Sequence, residues 1–293
     1  MASLPIELVH QVMEALDCSH PSAYRRNTSI VVTLCRLSLV SRSFHAAATP
    51  HLYRSVALVG STSTSNFART VSGSEKHTHV QAILFDRFWE EVDLIPDICT
   101  ILHAVAPSLQ RLFLAFPLLS KNSQFNDDVF RAFDKLSLYN LVELASGYDN
   151  YNGLIMRDYP AMESRWTRLR RLALQYRTID NDVITALSAL PALEVVAILS
   201  TWYTSGKPLT TPLPPSLRQV VVLDVSPMFD YVETYFNNRM GVERGAPIVF
   251  TRVPMPPEGR LQPASFVQWP IHQVAVGKIW EADKYKGAIT TLS

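Results

Sequence analysis

Apolar residues spaced three and four apart predict short helices at the start of the chain. In the first helix they recur at Leu4, Leu8, Val12 and Leu16, with Val9 alongside, which draws one continuous helix face. Pro5 suits the first turn, because its missing N–H needs no partner there. A second helix is predicted over residues 30–41 and a third over 42–49, ending before Pro50.

The segments around these helices are predicted to be a loop and a strand. Residues 17–27 are polar and contain a His-Pro pair, which predicts a connecting loop. Residues 52–58 alternate apolar and polar side chains, as a strand does. Three helices this short bury little surface against each other. Their wide apolar stripes therefore indicate that a partner protein covers part of them.

A second pattern, L-x-x-Φ-x-Φ with Φ a large aliphatic residue, recurs through the middle of the chain. Its copies begin at residues 109, 169, 193 and 217, and weaker copies begin at 80 and 141, so that successive starts lie 29, 32, 28, 24 and 24 residues apart. This spacing resembles that of leucine-rich repeats, which recur about every 20 to 29 residues. In such a repeat one short strand points its Φ residues inward, and each unit is stable only when stacked on its neighbours.

The segments between the predicted strands favour helical connections. Apolar residues recur at three and four in residues 95–106, 127–138 and 181–190, which predicts helices. The chain has ten glycines and no GxGxxG or GKS/T motif, which disfavours a doubly wound nucleotide-binding sheet. The turn asparagine of regular leucine-rich repeats is also replaced, by Pro117, Arg177, Thr201 and Val225. We therefore expect a short, irregular solenoid.

The N-terminal helices carry three ordered motif fragments that resemble the F-box. The fragments are Leu-Pro-Ile-Glu-Leu at 4–8, Leu-Ser-Leu-Val-Ser-Arg-Ser-Phe at 37–44 and Pro-His-Leu-Tyr at 50–53. The longer polar segment at 17–27 departs from the family pattern. An ordinary helical N-terminus, with these faces in its own core, is the alternative.

The resemblance implies a partner and a set of contacts. F-box helices pack against the adaptor subunit Skp1, which links them to a cullin–RING ubiquitin ligase. Carried over by position, the implied Skp1 contacts are Leu4, Pro5, Leu8, Val9, Val12 and Leu16, with Leu37, Val40 and Phe44 shared between the contact and the core of the helices.

Together these patterns predict an α/β protein with an N-terminal three-helix F-box-like module followed by a short irregular leucine-rich-repeat-like solenoid. We expect the module at residues 1–58, a Ser/Thr-rich linker at 59–79, the repeat domain at 80–225 and a C-terminal tail at 226–293. Residues 249–253 and 274–280 of the tail carry apolar residues but continue no repeat.

Strand alternation assigns the residues between the Φ positions to a concave face. Much of that face is apolar, which is uncommon unless it binds another protein or is covered. The candidate target-binding residues are Leu84, Arg111, Phe113, Arg171, Gln175, Val195, Leu199, Gln219 and Val221. The alternative is that the tail covers this face, with Trp269 and Trp280 as its anchors.

Composition narrows the class of partner. The 27 Lys and Arg residues balance 26 Asp and Glu residues, so no global field favours nucleic acid or an anionic membrane. The three cysteines form no CxxC pair, which fits a reducing compartment and suggests no thiolate metal site. We expect no signal peptide, no membrane span, no cofactor and a location in the cytoplasm, the nucleus or both.

Several residue groups contain side chains that are common in chemical sites, but each has a plainer interpretation. His77 and His79, and the acidic pairs at 90–91, 127–128 and 180–182, suit loops or helix starts. Cys99 lies four residues before His103, but a buried small cysteine explains it. The basic cluster Arg165, Arg168, Arg170 and Arg171 beside Trp166 suits a solvated repeat edge, or an acidic or phosphorylated partner.

The sequence thus favours a non-catalytic adaptor, in which the F-box-like module binds Skp1 and the repeat domain binds a target for ubiquitylation. Two alternatives stay open. One is an F-box and repeat scaffold that acts outside a ubiquitin ligase. The other is an intracellular α/β enzyme that uses Cys99 or an aspartate pair.

Overall fold

A computed structural model provides the coordinates. The residues it describes are 5–18, 28–73, 78–86, 94–115, 140–146, 166–179, 181–204, 214–224, 249–254, 271–275, 277 and 279–280. The predicted helix at 127–138 lies outside these residues, so the structure does not test it.

Three helices form the N-terminal module: α1 at Ile6–Cys18, α2 at Thr28–Ser38 and α3 at Arg42–Arg54. The Ser41 side chain caps α3 by accepting a hydrogen bond from the backbone N–H of Phe44 at 3.3 Å, which satisfies one of the unpaired donors of the first turn. Five buried apolar residues form the core of this module: Val9, Met13, Leu34, Ala47 and Ala48.

Helix α3 continues through Pro50, where the sequence predicts its end. Packing on both sides of the last turn accounts for the difference. Leu52 packs against the core of the helical module, whereas Tyr53 packs against the core of the sheet that follows. Tertiary contacts of this kind outweigh the local preference of proline, because most helix stability in proteins comes from packing.

Eight parallel strands form one sheet whose spatial order is the order along the chain. The strands are β1 at Ser55–Val59, β2 at Ala82–Asp86, β3 at Arg111–Ala115, β4 at Glu143–Ser146, β5 at Arg171–Ile179, β6 at Val195–Thr204, β7 at Gln219–Asp224 and β8 at Val249–Pro254. The six copies of the sequence pattern correspond to β2 through β7, so those strand predictions are confirmed. β8 has no copy of the pattern, and the sequence did not predict that it joins the sheet.

A tight turn comes before several of these strands and ends in the first leucine of the pattern. The backbone N–H of Leu169, Leu193 and Leu217 bonds to the carbonyl three residues earlier. These leucines, with Leu109 and Leu141, are at most 5% exposed. A buried leucine therefore marks the start of each of the five strands β3 through β7.

The Φ residues of all six patterned strands point to one face, called here the helix face. Ile83, Leu112, Leu144, Leu172, Val196 and Val220 are neighbours in register across the sheet. Three helices cover the helix face or continue its core: α4 at Gly60–Ser72, α5 at Ile95–Val105 and α6 at Asn181–Ser188. Helices predicted at 95–106 and 181–190 are thereby confirmed.

Helix α4 occupies most of the segment that the sequence predicts to be a linker. Gly60, with a φ of 72°, makes the turn from β1 into the helix, a conformation that glycine adopts readily. The hydroxyls of Ser63 and Thr64 bond to the carbonyls of Val59 and Gly60. These serine and threonine residues therefore satisfy their hydroxyls within the helix.

None of the helices within the described ranges is long and apolar enough to cross a membrane.

Candidate partner-binding surfaces

Helix α1 divides its apolar residues between the inside and the outside of the module. Pro5 immediately precedes the helix, and its carbonyl accepts hydrogen bonds from the N–H groups of Leu8 and Val9 at 3.1 and 3.3 Å. Val9 is 1% exposed, whereas Leu8 is 45% exposed and Val12 is 44% exposed. Because consecutive residues point about 100° apart on a helix, Leu8 and Val12 form a second apolar stripe beside the buried one.

Helix α2 and the turn after it expose a further set of apolar side chains. Leu34 faces the module core, while Val31, Cys35 and Leu39 follow one another at steps of four on an exposed stripe. Leu39 is 85% exposed, the highest value among the large apolar residues described. Both helices therefore leave apolar side chains exposed, a feature that is typical of surfaces that bind another protein.

The predicted Skp1 contacts fall into three groups. Pro5, Leu8, Val12 and Val40 are exposed, and Leu16, Leu37 and Phe44 are partly buried against the module core. Val9 is in the core, and Leu4 lies outside the described residues. Their contact with Skp1 stays a prediction. Sequence reasoning did not select Ile6, Val31, Val32 and Leu39, although the step of four from Val31 to Leu39 was a visible signal.

The opposite face of the sheet is covered by a C-terminal segment, called here the strap: residues 271–275, which form helix α7, together with 277, 279 and 280. Ile271, Val274, Ala275 and Ile279 of the strap are at most 1% exposed. They share one buried cluster with residues of β2 through β7. We call this covered side the strap face.

Small residues on the sheet make room for the strap. Ala145, Ala173 and Ala197 are neighbours in register on β4, β5 and β6, beside the larger Phe113 on β3. A row of alanines lowers the surface of the sheet by the depth of a side chain, so that a helix can lie close to the strands. The strap face is thus shaped for a covering segment.

A buried carboxylate, Glu143, anchors one end of the strap. Its side chain is 3% exposed and lies between Arg111, at 3.1 Å, and Arg171, at 3.7 Å. The indole N–H of Trp280 donates to Glu143 Oε1 at 2.7 Å. Arg111 also donates to the carbonyl of Ala275 at 3.4 Å. Charged partners on both sides make burial of this carboxylate tolerable.

A second carboxylate, Asp86, anchors the other end. Its Oδ2 lies 3.1 Å from Nε2 of His272, and the two side chains are 5% and 40% exposed. The other oxygen, Oδ1, is buried and has no hydrogen-bond partner among the described residues. The strap is therefore held by an apolar centre and a polar contact at each end.

The strap covers most of the predicted target-binding residues. Leu84, Phe113, Leu199 and Val221 are at most 4% exposed in the cluster that contains the strap, Gln219 is 7% exposed and Val195 is partly buried. Arg111 and Arg171 keep 27% and 48% of their side-chain surface. The side chain of Gln175 falls outside the described part. The alternative of a tail that covers this face, anchored by Trp280, agrees with the structure; Trp269 is not described.

The histidine, cysteine, acidic and arginine groups that the sequence offers as chemical sites do not form a common site within the described residues. Cys99 is partly buried against the helix face and His103 is exposed. Asp182 lies in the first turn of α6. His77, Arg165, Asp180 and residues 90–91 and 127–128 are outside the described residues. Within the described ranges no cluster of three or more His, Cys, Asp or Glu side chains is arranged to hold a metal ion.

Comparison with known proteins identifies the helical module. A family model of F-box-like domains matches residues 1–59, which take in α1, α2, α3 and β1. No curated protein matches the chain. The match ends where the first strand ends, so it does not extend to the rest of the sheet.

Proposed function

Because the chain is an F-box protein by its residues 1–59, we propose that it is the substrate-recognition adaptor of a Skp1–cullin–F-box ubiquitin ligase. The observation that carries the proposal is the exposed apolar stripe of Leu8 and Val12, which an adaptor subunit would cover. In this role the chain catalyses nothing itself. It works in the cytoplasm or the nucleus and needs no cofactor.

We further propose that residues 80–225 are a degenerate leucine-rich-repeat-like solenoid that holds the target. The proposal is supported by the sequential order of the parallel strands and by the buried leucine that precedes each of the strands β3 through β7. Repeats of this kind contact only their neighbours in the stack and together form an extended surface that can bind a partner.

Co-purification with Skp1 tests the adaptor role. Leu8→Asp with Val12→Asp should abolish a one-to-one complex, because burying a charge at an apolar interface costs several kcal/mol. His10→Asp with Gln11→Asp is the matched control, since it adds two negative charges at exposed positions of the same helix. The control should bind as the wild-type protein does. The proposal is overturned if the wild-type chain does not bind Skp1 or if the Leu8/Val12 variant still binds it.

The same complex separates a ligase subunit from a scaffold. Assembled with a cullin and its RING partner, the wild-type chain should support ubiquitylation of the protein it captures from cells. Capture without ubiquitin transfer would instead favour an F-box scaffold outside a ligase.

A further inference from the structure

The strap makes the strap face, to which the sequence assigns target binding, unavailable to an external protein. Leu84, Phe113 and Val221 are at most 4% exposed, and four strap residues fill the space above them. Lifting the strap would return both apolar surfaces to water and would leave Glu143 with fewer donors. The second cost is large, because a buried charge that loses a partner is strongly destabilising. The target therefore has to meet another surface.

Four arginines stay exposed at the edge of the sheet where β5 and β7 begin: Arg168, Arg170, Arg171 and Arg218, called here the arginine edge. The backbone places them side by side. The N–H of Glu194 bonds to the carbonyl of Arg170 at 2.9 Å, and the N–H of Arg218 bonds to the carbonyl of Glu194 at 2.8 Å. Since parallel strands lie about 4.8 Å apart, the backbones of Arg170 and Arg218 lie within about 10 Å of each other.

The arginine edge has few carboxylates of its own. Arg170 lies 3.9 Å from Glu194, a long contact in which the side chains are 62% and 38% exposed. Arg171 lies 3.7 Å from Glu143, which is already bound by Arg111 and Trp280. Arg168 donates to an amide oxygen, that of Asn140 at 2.9 Å.

Arg218 adds a positive charge that no carboxylate among the described residues balances. Its side chain is exposed and forms no hydrogen bond or ion pair with the described residues. Along this edge, four exposed arginines therefore lie beside a single partly exposed carboxylate, that of Glu194, within the described part of the chain. The guanidinium N–H groups that have no carboxylate partner among the described residues are exposed to solvent.

We propose that the arginine edge is the docking surface for an acidic, carboxylate-rich segment of the target protein. The proposal rests on the adaptor role and names the chemistry of the partner. Guanidinium groups bind carboxylates through two parallel hydrogen bonds, a geometry that lysine does not offer. The net charge of the whole chain is only +1, so the positive field is local. A short acidic segment fits it better than a long nucleic acid, which needs an extended basic surface.

Fluorescence anisotropy with the full-length chain tests the proposal. The probe is a labelled ten-residue peptide of alternating Glu and Gly, and the control probe replaces each Glu with Gln. The wild-type chain should bind the Glu peptide, lose affinity as NaCl is raised, and leave the Gln peptide free. Arg170→Glu with Arg218→Glu should weaken binding about ten-fold or more, since each exposed ion pair contributes up to about 1 kcal/mol and its reversal adds repulsion.

Arg42→Glu with Arg69→Glu is the matched control, because both side chains are exposed and lie on helices away from this edge. It should bind the Glu peptide as the wild type does. Equal affinity for the two peptides, equal loss in the two variants, or tighter binding of a ten-nucleotide RNA would each overturn the proposal. If the Arg170/Arg218 variant fails to fold, Arg170→Gln with Arg218→Gln makes the same test without a new charge.

Capture of Skp1 by the same preparations keeps this test separate from that of the adaptor role. The Arg170/Arg218 variant should bind Skp1 normally and lose only the peptide. A wild-type chain that binds the peptide but not Skp1 would refute the adaptor role and leave the acidic docking site standing.

Discussion

The indole N–H of Trp280 reaches Oε1 of Glu143, 137 residues earlier in the chain, at a distance of 2.7 Å. Glu143 begins β4 and is nearly inaccessible to water, and Arg111 and Arg171 lie on either side of it. This hydrogen bond ties the strap to the sheet at a point where a charge is already buried. The strap therefore belongs to the structure of the sheet domain.

Two substitutions of Trp280 should destabilise the protein to different extents. Trp280→Phe removes only the hydrogen bond to a buried charge and should lower the free energy of unfolding by about 1 to 3 kcal/mol. Trp280→Ala also removes apolar contact and should cost about 1 kcal/mol more. Urea unfolding measures both. Leu39→Ala, at a side chain 85% exposed, is the control and should change stability by less than about 0.5 kcal/mol. A Trp280→Phe protein as stable as wild type would contradict the structure.

The contact between His272 and Asp86 should show coupling in a double-mutant cycle. His272→Ala leaves the buried Asp86 carboxylate without its partner, which should cost about 1 to 3 kcal/mol of unfolding free energy. In an Asp86→Ala background the same change should cost less, because no buried charge is left unpaired. Equal costs in the two backgrounds, measured by chemical unfolding, would show that the two side chains do not interact.

Adjacent stripes of α1 should respond differently to truncation. Met13→Ala empties a fully buried position and should cost about 2 to 5 kcal/mol. Leu8→Ala, at a half-exposed side chain, should cost less than about 1 kcal/mol and should weaken capture of Skp1 instead. Hydrogen exchange of the α1 amides, measured beside a Skp1 pull-down, separates the two effects. Loss of Skp1 with Leu8→Ala and an equal loss of α1 protection would contradict this division.

Pro50 is the residue at which α3 should gain stability by substitution. It lies inside the helix, where proline lacks an N–H and disturbs the preceding turn, at a cost of about 3 kcal/mol. Alanine restores the hydrogen bond but enlarges the freedom of the unfolded chain. We expect Pro50→Ala to raise the unfolding free energy by about 1 to 2 kcal/mol, seen as a higher midpoint in urea. A lower midpoint would show that the ring of Pro50 is needed where it is.

Periodicity was enough to predict the strands that carry the leucine pattern, because each must bury its Φ residues in register with its neighbours. It was not enough for β8, where Val249–Pro254 has no opening leucine. Backbone hydrogen bonds to β7 suffice to add this strand to the sheet. Helix α4 was not predicted for another reason. Its many Ser and Thr residues are typical of linkers, but in the structure the hydroxyls of Ser63 and Thr64 donate hydrogen bonds to carbonyls one turn earlier in the helix.

The charged row of the sheet was predictable in principle but was not predicted. Arg111, Glu143 and Arg171 occupy the same place in three successive repeats, so stacking makes them neighbours in register. Alternating charges at one repeat position therefore indicate ion pairs between strands. The sequence does not decide between a free face and a covered one, because a local pattern does not specify which distant segment packs on which face. Only the folded chain brings His272 to Asp86, 186 residues away.

Helix α3 passes into β1 with no residue between Arg54 and Ser55. Leu52 belongs to one hydrophobic core and Tyr53, stacked on Phe67 with ring centroids 6.4 Å apart, to the next. A swing of the helices against the sheet would have to break this packing or unwind the last turn of α3. The packing at this junction therefore holds the helical module in one orientation relative to β1. A protein bound on α1 would then keep a constant distance and direction to a protein bound on the sheet.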